Sequence, residues 1–370
     1  MKRVLFLIHD LGPGGAEKVL VNLANGLDPA EFDVTVKTLF NWGVNREFLD
    51  PRVKYESLYS RDIRGNSHWM KLWTPEQLYQ KTVKGDYDIV VSFLEGPTAR
   101  VAGGCPADGP KVVTWIHTPI LSEAKFREGF RNTDEALRCY GRADRTVFVS
   151  RDVQTAFSRF CQPKNGVVLY NVYDSDGIRE KAELVPTDPS MDADALYWCG
   201  MGKLIPLKGW DRMLTIQKRL RGEGIPARFL ILGDGPQRDE LRARVEADGL
   251  TDSVTFAGYQ TNPYQYLSRC ALFVCASERE GFSTAAVESL ICGTPVCSVN
   301  VGGMREILGA DNEYGVVTEN DDEALYAAVK RFLTDAAYRD EYRRKAVERA
   351  DAGFSRAAAG KAVEKMLLEL

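Results

Sequence analysis

Histidine is scarce in this chain: three among 370 residues, at positions 9, 68 and 117. Eight cysteines are present, but no two stand in a CxxC spacing. Few histidines and scattered cysteines together argue against a Cys/His zinc site. Cys275 and Cys297 each lie in an apolar run, which reads as buried free thiol in a reducing compartment. Long apolar runs are lacking as well. Those at 4–8 and 89–91 fall far short of the ~18 residues a membrane-crossing helix needs. Lys2-Arg3 ahead of the first run imitates the start of a signal peptide, but His9-Asp10 ends it too soon. An excess of either charge is also missing, since 48 basic residues face 52 acidic ones for a formal charge of −4. That balance is unlike a nucleic-acid binder. A cytoplasmic protein without a nucleic-acid partner is the expectation.

What is present is an ordinary globular composition, 44% apolar and 27% charged. At roughly 150 residues per domain, the length suggests two domains. Short β-branched runs alternate with amphipathic stretches. Strands are expected at 4–8, 34–39, 89–93, 112–116, 146–149 and 167–169, and a second series at 196–199, 228–232, 254–256, 272–275 and 295–299. Helical spacing fills 16–27, 210–221, 237–247 and 284–291. This pattern predicts an α/β chain of two doubly wound, Rossmann-like domains whose parallel sheets are covered on both faces. The first is placed at 1–175 and the second at 190–353, with a linker at 178–195. The closing helix, 354–370, is expected to pack back on the first domain.

Ligands of doubly wound sheets bind beyond the carboxyl ends of the strands. Two facing domains would therefore share a cleft lined by those loops. After 196–199 comes Gly200-Met201-Gly202-Lys203, with Lys208-Gly209 following. Two lysines five apart in a glycine-bounded loop either clamp a diphosphate or are simply solvated. After 228–232, Gly233-Asp234-Gly235 is tight-turn chemistry, closing backbone at the cleft floor or touching ligand. After 272–275 the loop holds Glu280 and Gly281, then Phe282, Ser283 and Thr284 open a helix that contains Glu288. Gly281 permits close backbone approach, and the helix start attracts anions. In the first half, Gly14-Gly15 follows the first strand without a GxGxxG spacing, and 34–39 ends without an acid, which disfavours a nicotinamide enzyme. His117 ends the strand at 112–116, as a strand cap or as a site group. Three Asp-x-Asp triplets, at 86–88, 174–176 and 192–194, do not stand convincingly at strand ends and are assigned no metal.

Read in order, these residues resemble the retaining glycosyltransferases of family 4, which have the GT-B fold of two facing Rossmann-like domains. The matches are Gly14-Gly15-Ala16-Glu17, His117, Ser150, Asn171, Gly202-Lys203-Leu204 with Lys208-Gly209, and Gly233-Asp234-Gly235. Phe256-Ala257-Gly258, Glu280 through Glu288, and Gly302-Gly303 with Glu306-Ile307 complete them. One departure stands out. The family usually has arginine where Lys203 stands, and lysine keeps the charge but loses the bidentate fork.

The resemblance implies a nucleotide-sugar donor, UDP-linked by family frequency, held mainly by the second domain. Lys203, Lys208 and Gly202 would meet the diphosphate, Gly233 would lie close by, and Glu288 would take the ribose. The loop around Tyr259 would take the base. Glu280, Gly281 and the amides of Phe282, Ser283 and Thr284 would meet the hexose and distal phosphate. His117 and Gly14-Gly15 would reach the sugar and acceptor. No metal or other cofactor is implied. Retention would proceed by same-face attack or through a covalent carboxylate, after hinge closure excludes water. The expected acceptor is a glycan or lipid-linked hydroxyl in cell-surface polysaccharide synthesis at the inner membrane face. The basic and aromatic stretches 61–73 and 125–131 are read as membrane-surface contacts or as solvated loops. Two other readings stay open: a same-fold epimerase or phosphorylase, and a non-catalytic sugar-nucleotide-binding subunit.

Overall fold

The computed structural model describes residues 1–60, 70–163, 165–189 and 191–370. The chain forms two compact units, Met1–Tyr173 with Arg356–Leu370, and Asp174–Ser355.

In the first unit seven parallel strands are β1 (Lys2–Ile8), β2 (Phe32–Phe40), β3 (Lys54–Tyr59), β4 (Ile89–Ser92), β5 (Lys111–Ile116), β6 (Arg145–Phe148) and β7 (Gly166–Val168). Their order is β3-β2-β1-β4-β5-β6-β7. Val4 to Ile8 are fully buried, which is why β1 reads as an unbroken apolar run at the middle of the sheet. β3 escapes the sequence reading because it lies at the edge. Its burial alternates between exposed and half-buried, without an apolar run. Helix Gly15–Gly26 follows β1 and buries Val19, Leu20 and Leu23.

The second unit repeats the winding with six parallel strands: β8 (Leu196–Met201), β9 (Ala227–Leu232), β10 (Val254–Gly258), β11 (Leu272–Cys275), β12 (Val296–Val299) and β13 (Val316–Thr318). Their order is β10-β9-β8-β11-β12-β13. The three-residue β13 is too short to carry a sequence signal. Each sheet reverses direction once, between β1 and β4 and between β8 and β11. Such switch points are where ligands bind.

One expectation needs revision. The linker expected at 178–195 begins as helix Ser175–Glu183, capped by Asp174, with Ile178 and Ala182 buried in the second unit. Its sparse apolar residues fall four apart, on one helical face. In the stretch 125–131, Phe126 and Phe130 are buried, and Arg131 donates to the Lys71 and Leu72 carbonyls. Most of 61–73, including His68, lies outside the described residues. Within the rest, Arg100 holds the Met70 and Trp73 carbonyls, and Lys81 covers the Trp73 ring.

The final helix, Arg356–Leu368, belongs to the first unit. Lys2 Nζ donates to the Leu367 and Leu368 carbonyls at 3.2 and 2.9 Å, and the Asp28 amide donates to Glu364 at 3.0 Å. Among the described residues, no helix is long and apolar enough to cross a membrane.

Candidate active site

The loops after β8, β9 and β10 are locked through their glycines. Gly202 donates to the Leu232 carbonyl at 2.9 Å, and Gly233 to the Gly258 carbonyl at 2.8 Å. Gly233 has φ +140°, and a Cβ there would sit 2.0 Å from the Gly202 oxygen. Glycine at 233 thus has a packing reason that requires no ligand contact. The loops after β8 and β11 are joined as well, with the Glu278 amide donating to Leu207 at 2.9 Å.

That junction brings Lys208 and Glu280 together. Lys208 Nζ donates to Glu280 Oε1 at 2.6 Å, and Ser277 Oγ donates to the same oxygen at 2.7 Å. The Lys208 and Glu280 side chains are 27% and 13% exposed. Burial alone would lower the lysine's pKa, but the charge and hydrogen bond of Glu280 more than offset it, so the net shift is upward. Lys208 is therefore a fixed cation at neutral pH. Lys203 is exposed on the same loop, and its carbonyl accepts from Trp210 Nε1 at 3.1 Å.

Helix Thr284–Ile291 starts after Ser283, whose hydroxyl accepts from the Ala286 amide at 3.3 Å. One of the helix's opening donors is thus met by the protein itself. Gly281, Phe282 and Ser283 are buried, Thr284 is half-buried, and the Phe282 ring packs edge-on to Phe354 at 5.9 Å. Glu288 is 5% exposed, and Tyr264 Oη donates to its Oε1 at 3.1 Å. Burial, then the Glu288 charge, holds the Tyr264 hydroxyl protonated well above its usual range. Tyr259 follows Gly258 and is 49% exposed.

In the first unit, His117 directly follows β5. Its ring packs on Phe93 at 4.7 Å, and its Nε2 is buried without a hydrogen-bond partner. Burial pushes its pKa down to about 3, so the imidazole is neutral. A buried orphan nitrogen of this kind is costly unless something fills it in the working state. The His117 amide donates to Glu95 at 3.0 Å, and Thr118 Oγ1 donates to the other Glu95 oxygen. Asn171 Oδ1 is a second buried orphan, whereas Ser150 caps helix Arg151–Ser158.

At the start of helix Gly15–Gly26, Gly14 leaves room for the Glu17 carboxylate, whose Oε2 would lie 2.1 Å from a Cβ at 14. Burial pushes the Glu17 pKa up to about 7, Asp10 adds to the rise, and the Glu17 amide and His9 oppose it. Of these groups, Ser277, Tyr264 and Glu95 carried no sequence signal, because each is defined by a partner distant in the chain. Glu17 stood in the quoted motif but was assigned no role. Its place in the first turn behind a glycine was the available clue.

The Asp-x-Asp triplets have local duties. Asp174 caps its helix, Asp88 accepts from the Arg3 amide at 2.7 Å, and Asp192 accepts from the Asp194 amide at 3.1 Å. All eight cysteines are free and six are buried. A cavity of about 480 Å³ opens at the amino ends of the first sheet, beside Arg3, Asp88 and Lys111. It lies at the opposite end of that sheet from Gly14, Glu95 and His117.

Comparison with known proteins bears on the family and the fold. Residues 186–351 match the family described as Glycosyl transferases group 1, and residues 13–176 match Glycosyltransferase Family 4. A Campylobacter jejuni enzyme, N-acetylgalactosamine-N,N'-diacetylbacillosaminyl-diphospho-undecaprenol 4-alpha-N-acetylgalactosaminyltransferase, is 28% identical over 95% of this chain and 96% of its own. The lipopolysaccharide core biosynthesis glycosyltransferase LpsD of Rhizobium meliloti is 29% identical over 90% and 89%. Among solved structures, Anabaena HepE in complex with UDP and glucose superposes with a TM-score of 0.81 over the whole of both chains, at 20% identity.

Proposed function

Because the chain belongs to the group 1, family 4 glycosyltransferases with a GT-B fold, we propose that it moves a hexose or N-acetylhexosamine, with retention, from a UDP-sugar to a hydroxyl of a glycan or lipid-linked acceptor in surface polysaccharide synthesis. The observation that carries this reading is the Lys208–Glu280 bond beside the β8/β11 switch point. Breaking the anomeric C–O bond leaves a sugar with oxocarbenium character and a diphosphate that gains charge. A cation already fixed at that place stabilises the transition state more than the ground state. Lys208 supplies it, Lys203 adds a second, exposed one, and this reading needs no metal. Glu280 orients Lys208 and lies where a sugar hydroxyl could donate to it. Glu288, oriented by Tyr264, is the group for the ribose, with Tyr259 exposed for the base. In the first unit, neutral His117 offers a hydrogen bond to a sugar hydroxyl rather than a charge.

The named activities of the relatives support a lipid-linked or lipopolysaccharide acceptor, and the UDP in the HepE complex supports the donor base. The test is thermal stabilisation by UDP, GDP, ADP and TDP, in wild type and in Glu288→Gln. A nucleotide at ~100 times its dissociation constant adds roughly 2.7 kcal/mol. UDP is expected to stabilise the wild type and the variant much less. Stabilisation by none of the four, or equally in both proteins, would defeat the assignment.

A further inference from the structure

Trp42 is 55% exposed at the carboxyl end of the first sheet, just after β2. Two further apolar side chains of the same loop, Val44 and Phe48, are exposed with it, and grouped exposed apolar groups mark binding surfaces; the Trp42 backbone is firmly fixed. The Leu11 amide donates to the Trp42 carbonyl at 2.9 Å, the Asn45 amide to Leu11 at 3.0 Å, and the buried Asn45 side chain to Gly12. Gly43 has φ +119°, and a Cβ there would sit 1.9 Å from the Leu11 carbonyl carbon. The loops after β1 and β2 are thus closed into one rigid shelf.

On that shelf the indole meets a carboxylate. A Cβ at Gly12 would lie 2.4 Å from Trp42 Cζ3 and 2.8 Å from Asp10 Oδ1, so ring and acid converge over one backbone atom. Asp10 is itself held, by the Gly12 amide and by His9 Nδ1, each at 2.7 Å.

We propose that Trp42 and Asp10 form the platform for a neutral pyranose of the acceptor, an inference that rests on reading the chain as a glycosyltransferase. A sugar ring has an apolar C–H face and a rim of hydroxyl donors. An exposed indole beside an oriented carboxylate matches both. The local charge selects against the alternative of an anionic lipid surface. Asp10 lies at the ring, and Glu47 is exposed in the turn that follows it. The loop's arginines are engaged elsewhere, Arg46 over the Tyr55 ring and Arg52 on Asp50.

The experiment follows the indole N–H of Trp42 by isotope labelling of the full chain, one signal among six tryptophans, assigned with Trp42→Phe. The probes are methyl glycosides of glucose, galactose, N-acetylglucosamine and N-acetylgalactosamine. At least one is expected to move the signal saturably, and to bind about tenfold more weakly to Asp10→Asn. Asparagine keeps an oxygen for the Gly12 amide, and melting curves check that the shelf is intact. The proposal is overturned if no glycoside moves the signal, if phosphatidylglycerol vesicles move it in their place, or if Asp10→Asn binds as well as wild type. UDP stabilisation in the same samples separates the failures. If UDP stabilises and the glycosides fail, only the platform falls. If both fail, the donor reading falls too.

Discussion

The two sheets share one winding and differ in what stands at their switch points. Beyond β1, β4 and β5 the first unit presents Asp10, Glu17, Glu95 and a neutral histidine. Beyond β8 and β11 the second presents two lysines, one bound to a glutamate. In both, a helix opens close by. In the first its start is covered by Glu17, and in the second it is capped by an uncharged serine. The fold therefore fixes where a ligand goes, and the loops fix the charge it can carry. An acid-lined end suits hydroxyls, and a lysine-lined end suits a diphosphate.

Breaking the contrast at its cationic end should have the largest effect. Lys208→Ala removes the fixed cation, and initial transfer rates from a UDP-sugar should fall by about 10²–10³-fold. A smaller loss, with UDP binding unchanged, would move the work to Lys203. At the acidic end, Glu17 has a folded pKa raised from 4.5 to about 7. Its share of stability is therefore complete below pH 4.5 and lost as pH rises through 7. Glu17→Gln should remove that dependence and gain about 3 kcal/mol at pH 8, read from melts at pH 5 and 8.

His117 tests whether the first unit works through a neutral group. His117→Ala should lower transfer about tenfold, the worth of one hydrogen bond to a sugar. Its lowered folded pKa also means that wild-type stability falls as pH drops from about 6.5 toward 3. A transfer-rate step near pH 6.5 that vanishes in the variant would contradict a neutral role. The smallest effect concerns the serine cap. Ser283→Ala should cost about 1 kcal/mol in the second unit's melting, with little change in UDP affinity.

The central strands and the loops that follow them were legible in the sequence because β1, β4, β8 and β11 are buried on both faces and so read as apolar runs. β3 and β13 were not, one being half-exposed and the other three residues long. At the site, residue types were legible but partners were not. Nothing in the spacing of Lys208 and Glu280 declares a bond across 72 positions, nor does Tyr264 announce that it donates to Glu288. Those contacts follow from the β8–β11 crossover and from helix packing, which only the folded chain supplies. The helix Ser175–Glu183 overlaps the expected linker from Ile178 on, because only two of its nine residues are buried apolar ones, too few to show a period.

The bonds from Lys2 to the carbonyls of Leu367 and Leu368 tie the opening strand of the first unit to a helix that lies 365 and 366 residues further along the chain. On the ribosome the whole second unit is made between the two. That unit, continuous in sequence, can complete itself during synthesis, while the first stays open along the surface its last helix covers until residues 356–368 have followed. The unit begun first is thus completed only after the unit begun second.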